Sequence, residues 1–328
     1  MDKNPDHLQL LRSLNIRPFL QRSNGQATFM LLVNYSLILL AFALPIMLAN
    51  PIGYLLSIVL LGNRQLGLGI LMHDCAHHAL FKSKAANQWV GRWLCAAPIF
   101  AQYEGYQHYH LRHHSKAGTD QDPDYPNYAP YPVKSVSVSR KILRDCFGVT
   151  GIKNFAFVLM MHAGVLNYDM AYKSTDRRNT ISAKALFNNL VHNLYRPVLM
   201  HSVLIFCCWL AGNIGLYGLW WIAYFTTFSL FSRIRNAAEH AGVPDLLDLD
   251  PRRHARTVHA SWLARLTVAP NHVNYHIEHH WLPQVPPYRL PELHQYLRKQ
   301  GVLEGAEVLP NYIEVIRKMA TPTVAGAA

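Results

Sequence analysis

Residues 27–49 form an uninterrupted run of 23 uncharged, mostly apolar residues. At 1.5 Å per helical residue, such a run crosses a hydrocarbon core of about 30 Å. The whole chain is 51% hydrophobic and only 15% charged, which is too apolar for an ordinary soluble enzyme. The sequence therefore predicts an all-α integral membrane protein, with its first transmembrane helix at 27–49.

Three further apolar runs are candidates for spanning the bilayer, at about 52–72, 197–211 and 214–232. Short turns rich in Gly, Asn and Pro separate the first two spans from each other and the last two from each other. We therefore expect four transmembrane helices in two hairpins. Because Arg64 interrupts the second run, it must reach the interface or face protein.

The distribution of positive charge predicts the orientation. The two hairpin tips carry no Lys or Arg, whereas the N-terminal arm at 1–26, the 73–153 segment and the stretch after 232 carry many. By the positive-inside rule, both termini and the active site are cytoplasmic, in a multi-pass protein of the plasma (inner) membrane. We expect one membrane domain at 27–318, a loose tail at 319–328 and no cleaved signal peptide.

The formal charge of +12 raises the question of a nucleic-acid partner. Its Lys and Arg residues are dispersed among apolar segments, without a basic recognition helix, so we expect no nucleic acid and assign the charge to the lipid bilayer surface. The five cysteines form no CxxC pair, which argues against a disulfide framework and against a thiolate metal site.

Histidine is the residue that carries the chemistry. The chain has 19 histidines, and 12 of them fall in HDCAHH (73–78), HYHLRHH (108–114), HVNYHIEHH (272–280) and RNAAEH (235–240). Histidines three and four positions apart lie on one face of a helix. Nine of these imidazoles are enough ligands for two first-row metal ions in an all-nitrogen site.

Each cluster also has a simpler interpretation. A single HxxxH arises often by chance, and HDCAH loosely matches the zinc-protease HExxH with Asp74 in place of the glutamate. His240 could be an interfacial histidine at the end of a span. The zinc-protease interpretation leaves the second and third clusters unexplained, so we expect a shared metal centre.

The order HDCAHH, HLRHH and HIEHH, with SKAGTDQDPD and WLPQVPPYRLPELH following the last two, resembles the integral-membrane fatty acid desaturase superfamily. That superfamily also includes hydroxylases and ketolases, and the similarity extends from about residue 63 to residue 297. The resemblance implies four spans, a cytoplasmic helical cap and a non-haem di-iron centre. It implies these iron ligands: His73, His77, His110, His113, His114, His240, His276, His279 and His280.

Other residues near the clusters could extend this set. The spare imidazoles of His78, His108 and His272 are possible extra ligands. Free ring nitrogens of metal-bound imidazoles need partners, for which the candidates are Asp74, Asp120, Asp122, Asp124, Glu239 and Glu278. A solvated acidic loop is the alternative for the three aspartates at 120–124. We expect alanine at His7, His192 or His294 to be tolerated.

An unactivated methylene has no acidic proton, so attack on it requires a redox metal that activates oxygen. The sequence predicts a fatty acyl or lipid desaturase that uses two iron ions, O2 and electrons from a separate ferredoxin, cytochrome or rubredoxin-type carrier. A hydroxylase or ketolase with the same centre, acting on an alkyl or carotenoid substrate, is the alternative. A histidine-rich metal transporter is more remote, since the predicted spans hold only Arg64 and His201 as ionisable groups.

Overall fold

The computed structural model describes residues 11–171 and 180–321. Helices dominate this part of the chain. The α-helices are α1 Asn24–Leu48, α2 Pro51–Ala76, α3 Lys84–Val90, α4 Tyr103–Lys116, α5 Tyr125–Tyr128, α6 Ser135–Cys146, α7 Val149–His162, α8 Ala183–Leu210, α9 Tyr217–Phe225, α10 Thr227–His240, α11 Pro251–His254, α12 Trp262–Arg265, α13 His276–Trp281, α14 Leu290–Lys299 and α15 Tyr312–Met319.

Shorter elements connect these helices. A π-helix spans Gly91–Ala96, and 3-10 helices span Arg17–Leu20, Ala97–Ile99, Ile214–Leu216, Pro270–His272 and Pro287–Arg289. Four two-residue strands, β1 Val133–Lys134, β2 Thr257–Val258, β3 Val308–Leu309 and β4 Ala320–Thr321, pair in parallel as β1–β4 and β2–β3. Of the predicted tail at 319–328, Met319 ends α15 and β4 follows it, while 322–328 lie outside the described residues.

Four helical segments are long and apolar enough to cross a membrane: Asn24–Leu48, Pro51–Ala76, Ala183–Leu210 and Ile214–His240. They overlap the four predicted spans. The last three extend into more polar sequence than the predicted spans do, because backbone hydrogen bonding continues beyond the apolar window. As a result, two histidine clusters begin or end on membrane-type helices.

The first two of these helices pack side by side and run antiparallel. Asn50 caps α2 by accepting hydrogen bonds from the amides of Ile52 and Gly53, with Pro51 at the favourable first helical position. At the other end, Leu31 of α1 belongs to one buried cluster with Leu71 of α2. The side chain of Arg64 is 4% exposed and lies among protein groups, which removes the need for it to reach the interface.

The fourth segment is broken at Thr226, whose φ of −107° and ψ of −85° are not helical. After the break, α10 packs closely on α2. A Cβ atom placed on Gly62 of α2 would lie only 2.1 Å from the Thr227 hydroxyl oxygen of α10. The same hydroxyl donates a hydrogen bond to the carbonyl of Ile58 at 2.7 Å. The two helices run alongside each other from this contact, and their ends bring His73 and His240 to the same region.

Candidate metal centre

Nine imidazoles from four parts of the chain converge on one buried region. His73 lies in the last turn of α2 and His77 is its C-cap residue, α4 supplies three histidines, α10 ends on His240 and α13 supplies three more. These are the nine residues proposed as ligands. The first ligand group consists of His73, His77, His110, His114 and His279, whose candidate ligand atoms lie within 4.8 Å of one another.

Short contacts between ring nitrogens run through the first ligand group. The Nε2 atoms of His73 and His279 are 2.9 Å apart, those of His279 and His114 are 3.0 Å apart, and those of His114 and His110 are 3.1 Å apart. Among the described residues, His77 Nε2 is buried and has no hydrogen-bond partner. The group thus presents several ring nitrogens to one small volume.

A second ligand group is formed by His113, His240 and His280, again with candidate ligand atoms within 4.8 Å. His276 joins it, because its Nε2 lies 2.9 Å from that of His240 and 3.0 Å from that of His280. His113 Nε2 and His280 Nε2 are 3.3 Å apart. His279 of the first group and His280 of the second are neighbours on α13, so the two groups are adjacent.

The outer nitrogens of several rings have acceptors. His73 Nδ1 lies 2.9 Å from Asp74 Oδ1, and His113 Nδ1 lies 2.8 Å from Asp122 Oδ1. His240 Nδ1 donates to the backbone carbonyl of His254 at 2.7 Å. Such contacts fix the ring orientation and leave the lone pair on Nε2, the atom that points into the cluster.

This arrangement fits a metal ion better than a network of hydrogen bonds. Because Nδ1 of His240 carries the proton, its Nε2 faces the Nε2 of His276 as a bare lone pair, 2.9 Å away. The Nε2 atoms of His279 and His114 each contact two other Nε2 atoms, whereas a neutral ring nitrogen offers one proton or one lone pair, so hydrogen bonds alone do not satisfy every contact. Nitrogen ligands about 2.1 Å from one ion and at right angles would be about 3 Å apart, which matches the observed contacts.

The electrostatic surroundings keep most of these rings neutral. Burial, followed by repulsion from His113 and His78, lowers the pKa of His77 to about 3. Burial and neighbouring imidazoles also hold the pKa values of His110, His114, His276, His279 and His280 well below the ordinary value. Burial lowers the pKa of His113 too, but the hydrogen bond that His113 donates to Asp122 and the charge of the nearby carboxylates outweigh burial and raise that pKa. Neutral imidazoles are the form that binds metal.

The three spare histidines lie outside both ligand groups. His108 is exposed, and His78 has a left-handed backbone with its ring 3.5 Å from Gln107. His272 is four residues before His276, but His272 has a positive φ and Tyr275 is not helical, so no continuous helix joins the two histidines. Spacing alone therefore overestimates how far the helix of the third cluster extends.

Four of the candidate acidic partners lie near the clustered histidines, and Asp120 does not. Asp74 and Asp122 contact cluster histidines, Asp124 Oδ2 lies 3.7 Å from His113 Nδ1, and Glu239 Oε1 lies 3.3 Å from His276 Nδ1. Asp120 is exposed.

Glu278 contacts the imidazole of His294, whereas the sequence predicts that it contacts one of the proposed ligands. It is fully buried, accepts a hydrogen bond from Thr257 at 2.7 Å and lies 2.5 Å from His294 Nδ1. The prediction that His294 is replaceable is therefore revised, since this histidine anchors the helix that carries three proposed ligands.

Two residues of the site, His254 and Arg235, are not among those predicted from the sequence. His254 is buried, its ring centroid lies 5.2 Å from that of His280, and its carbonyl holds His240. Arg235 forms an ion pair with Glu239 at 2.5 Å. Neither belongs to a histidine box, although the i,i+4 spacing of Arg235 and Glu239 on a helix could have indicated their pairing.

A cavity of about 440 Å³ reaches the metal centre. His110, His113, His240 and His276 are among its lining residues. Apolar side chains of α2, including Leu66 and Met72, form part of its wall, together with residues of α7 and α10. Its volume falls in the usual range for small-molecule sites.

Comparison with known proteins places the chain among desaturases. Residues 49–309 match the family model described as fatty acid desaturase. Dihydrorhizobitoxine desaturase of Bradyrhizobium elkanii is 23% identical over 71% of this chain and 64% of its own length. The chloroplastic omega-6 fatty acid desaturase of Brassica napus is 25% identical over 73% of this chain and 52% of its own length.

A third relative matches over a shorter stretch. The sn-1 acyl-lipid omega-3 desaturase (ferredoxin) of Synechocystis is 32% identical over 78 residues, which is 24% of this chain and 21% of its own. The chain thus spans roughly half to two thirds of the length of the first two relatives. Because the family model covers most of the chain and includes all nine clustered histidines, the chain belongs to the fatty acid desaturase family.

Proposed function

We propose that this protein is a membrane-bound desaturase that uses O2 to remove two hydrogens from an alkyl chain of a fatty acyl or lipid substrate. The observation that carries the proposal is the convergence of nine imidazoles, in two adjacent groups, beside a substrate-sized cavity that four of them line. The relatives are named as desaturases, which favours this chemistry over a hydroxylase, a ketolase or a metal transporter.

The proposed cofactor is a pair of iron ions. His73, His77, His110, His114 and His279 would hold one, and His113, His240, His276 and His280 the other. When bound, iron supplies the activation of O2 that removal of hydrogen from an unactivated methylene requires. Neutral imidazole is a suitable ligand for iron, and the donor set here is entirely nitrogen.

The protein's own groups orient these donors and the substrate. Asp74, Asp122 and the His254 carbonyl fix three rings through Nδ1, so that each Nε2 faces inward. Burial of the cluster limits access of water, which protects a reactive centre from side reactions. A chain bound in the cavity would lie against His110 and His240, which line it, and its placement there would decide which carbon reacts.

The membrane placement is also part of the proposal. We place α1 with α2, and α8 with α9–α10, as two hairpins through the bilayer, with the remaining helices forming a cytoplasmic cap around the metal centre. The exposed apolar side chains of α1 and α8, such as Leu39 and Phe206, support contact with lipid. Positive charge outside the hairpin tips supports cytoplasmic termini, in the plasma (inner) membrane.

Electrons would come from a separate carrier. One relative is named as a ferredoxin enzyme, which supports a ferredoxin here, with a cytochrome or rubredoxin type as the alternatives. Each turnover takes up two electrons and two protons along with O2 and the two hydrogens of the substrate, and releases two molecules of water.

Product analysis tests the proposal. Membranes that contain the protein are incubated with isotope-labelled acyl lipids, a reducing system and oxygen, and the products are weighed by mass spectrometry. We expect a product lighter than the substrate by two hydrogens, formed only with oxygen. A product heavier by one oxygen atom would identify a hydroxylase, and the absence of either product along with the absence of bound iron would overturn the oxygenase assignment.

A further inference from the structure

A stripe of polar side chains runs along the cavity side of α10. Ser229, Ser232, Arg233, Asn236 and Glu239 all line the cavity, and they recur at the spacing of one helical face. At 1.5 Å per residue the stripe begins roughly 16 Å before His240. A long part of the cavity wall is therefore polar, although a plain alkyl chain needs only apolar contacts.

The neighbouring helix α7 continues this polar wall. Thr150 and Asn154, one turn apart, line the cavity near the start of α7, and Val158 and Met161 line it further along. One face of α7 thus changes from polar to apolar along its length. Together with the apolar α2 wall, this makes the cavity amphipathic.

Several of these polar groups lack a hydrogen-bond partner in the part of the chain that the structure describes. Among the described residues, no protein hydrogen bond is made by the side chains of Thr150, Asn154, Ser229 and Ser232. All four are partly buried and border the cavity. A bare hydrocarbon lying against them would take their hydrogen-bonding groups out of water without compensation, which is unfavourable.

The charged members of the wall are already neutralised. Arg233 forms a bidentate ion pair with the carboxylate of Asp145, which is fully buried. Arg235 pairs with Glu239 and also donates to Asn236 at 3.0 Å. These pairs leave little free positive charge for a carboxylate or phosphate, so the wall suits uncharged groups that both donate and accept hydrogen bonds.

From this wall we infer that the substrate carries uncharged polar groups, hydroxyl or amide, on the part of the molecule that lies along α10 and α7. The inference rests on the proposed desaturase function and narrows its substrate class. The apolar α2 wall takes the alkyl part, and the hydroxyl or amide groups bond to the free side chains opposite. The polar wall then selects substrates and sets which carbons reach the metal centre.

Binding of two matched probes tests this inference without turnover. The probes are hexadecanamide bearing a hydroxyl on its third carbon and methyl hexadecanoate, added to the iron-loaded protein in detergent without reductant. Affinity is read from the probe-dependent rise in Tm, which follows mass action. We expect the hydroxy amide to bind about tenfold more tightly, as one or two additional net hydrogen bonds would produce.

The double variant S229A/S232A should lose about tenfold in affinity for the hydroxy amide and none for the methyl ester. Ser202→Ala is the matched control, because Ser202 is exposed on α8 and distant from the cavity lining. Alanine is a better helix former than serine, so the double variant should fold. Thr150→Val, which removes one hydroxyl at nearly constant volume, provides an independent variant on the other helix.

Equal affinity of the two probes for the unaltered protein would overturn the inference. It would indicate that water, and not the substrate, bonds to the polar side chains of α10 and α7. A parallel loss of both probes in the variants would also overturn it, since that marks a change of shape. If the methyl ester is desaturated while no selectivity is found, the proposed function stands and this inference fails. If selectivity is found but neither the probes nor acyl lipids are desaturated, the proposed function fails instead.

Discussion

At the scale of single residues, the imidazoles of the metal centre differ in what holds their outer nitrogens. Asp74 and Asp122 lie close to their histidines in sequence, so both could be proposed as partners from position alone. The carbonyl of His254, which holds His240, comes from a different segment and carries no side-chain signal. Spacing along a helix thus indicates which residues share a face, but not which loop packs against that face.

His294 gives a prediction at this scale. Its ring and Thr257 are the partners of the buried carboxylate of Glu278, in the helix that carries three proposed ligands. Replacing His294 with alanine leaves that carboxylate short of a donor, which should cost about 2 kcal/mol of stability. We expect a lower Tm and less bound metal in purified His294→Ala protein than in His192→Ala, since His192 is exposed. Identical Tm and metal content in the two variants would show that Glu278 does not need this partner.

At the scale of helices, the sequence predicts the positions of the four apolar segments but not their ends. The predicted span at 197–211 is the apolar half of α8, which begins at Ala183, because residues 183–196 are helical but too polar for an apolar window. The predicted span at 214–232 contains the break at Thr226, and α10 then continues to His240. At the break, the backbone of Phe225 packs closely on Gly151 of α7, and such a contact between helices is not visible in local composition.

Gly151 tests the contact at the break. A Cβ at this position would lie 2.2 Å from the Phe225 carbonyl oxygen and 2.5 Å from the Phe225 Cα. Because those are backbone atoms, α7 itself has to move, and overpacking of this kind costs about 1–3 kcal/mol. Gly151→Ala should lower Tm in a thermal unfolding measurement in detergent.

Gly218→Ala is the matched control for this prediction. Gly218 also lies inside a helix, and a Cβ there would meet nothing within 4 Å. Alanine is favoured over glycine in a helix by about 1 kcal/mol, so this variant should be neutral or slightly stabilised. Equal shifts of Tm in the two variants would mean that α7 and α9 do not approach as closely as described.

At the scale of the whole molecule, four apolar segments and a histidine-rich centre follow from composition and spacing, whereas the shape of the cavity does not. The cavity depends on where α7 and α10 lie relative to α2, which no single stretch of sequence specifies.

The membrane topology is predicted from the distribution of positive charge along the chain. A reporter fused after Ala328 should be cytoplasmic, and one inserted between Gly212 and Asn213 should lie on the opposite side. Both reporters on one side would exclude a second hairpin through the membrane.

The buried imidazoles also predict how stability depends on pH. As pH falls below 6.5, the ordinary value, an unfolded chain protonates these rings, whereas folded His77 takes up a proton only near its pKa of about 3. The unfolded state then binds more protons, so stability falls with pH across that window. His113 acts in the opposite direction, but it is outweighed by the lowered pKa values of His77, His110, His114, His276, His279 and His280. The Tm of metal-depleted protein should decrease from about pH 7.5 to about pH 5.5, and a constant or rising Tm would contradict the described burial.

Metal content measured together with turnover tests the central claim most directly. Purified protein should contain two iron ions per chain and form desaturated product when reduced in oxygen. His110→Ala, His276→Ala and His280→Ala should each lose iron and activity while still inserting in the membrane, whereas His192→Ala should keep both. Retained iron and turnover in all three ligand variants, or purified protein that binds no iron and takes up no oxygen, would contradict the account.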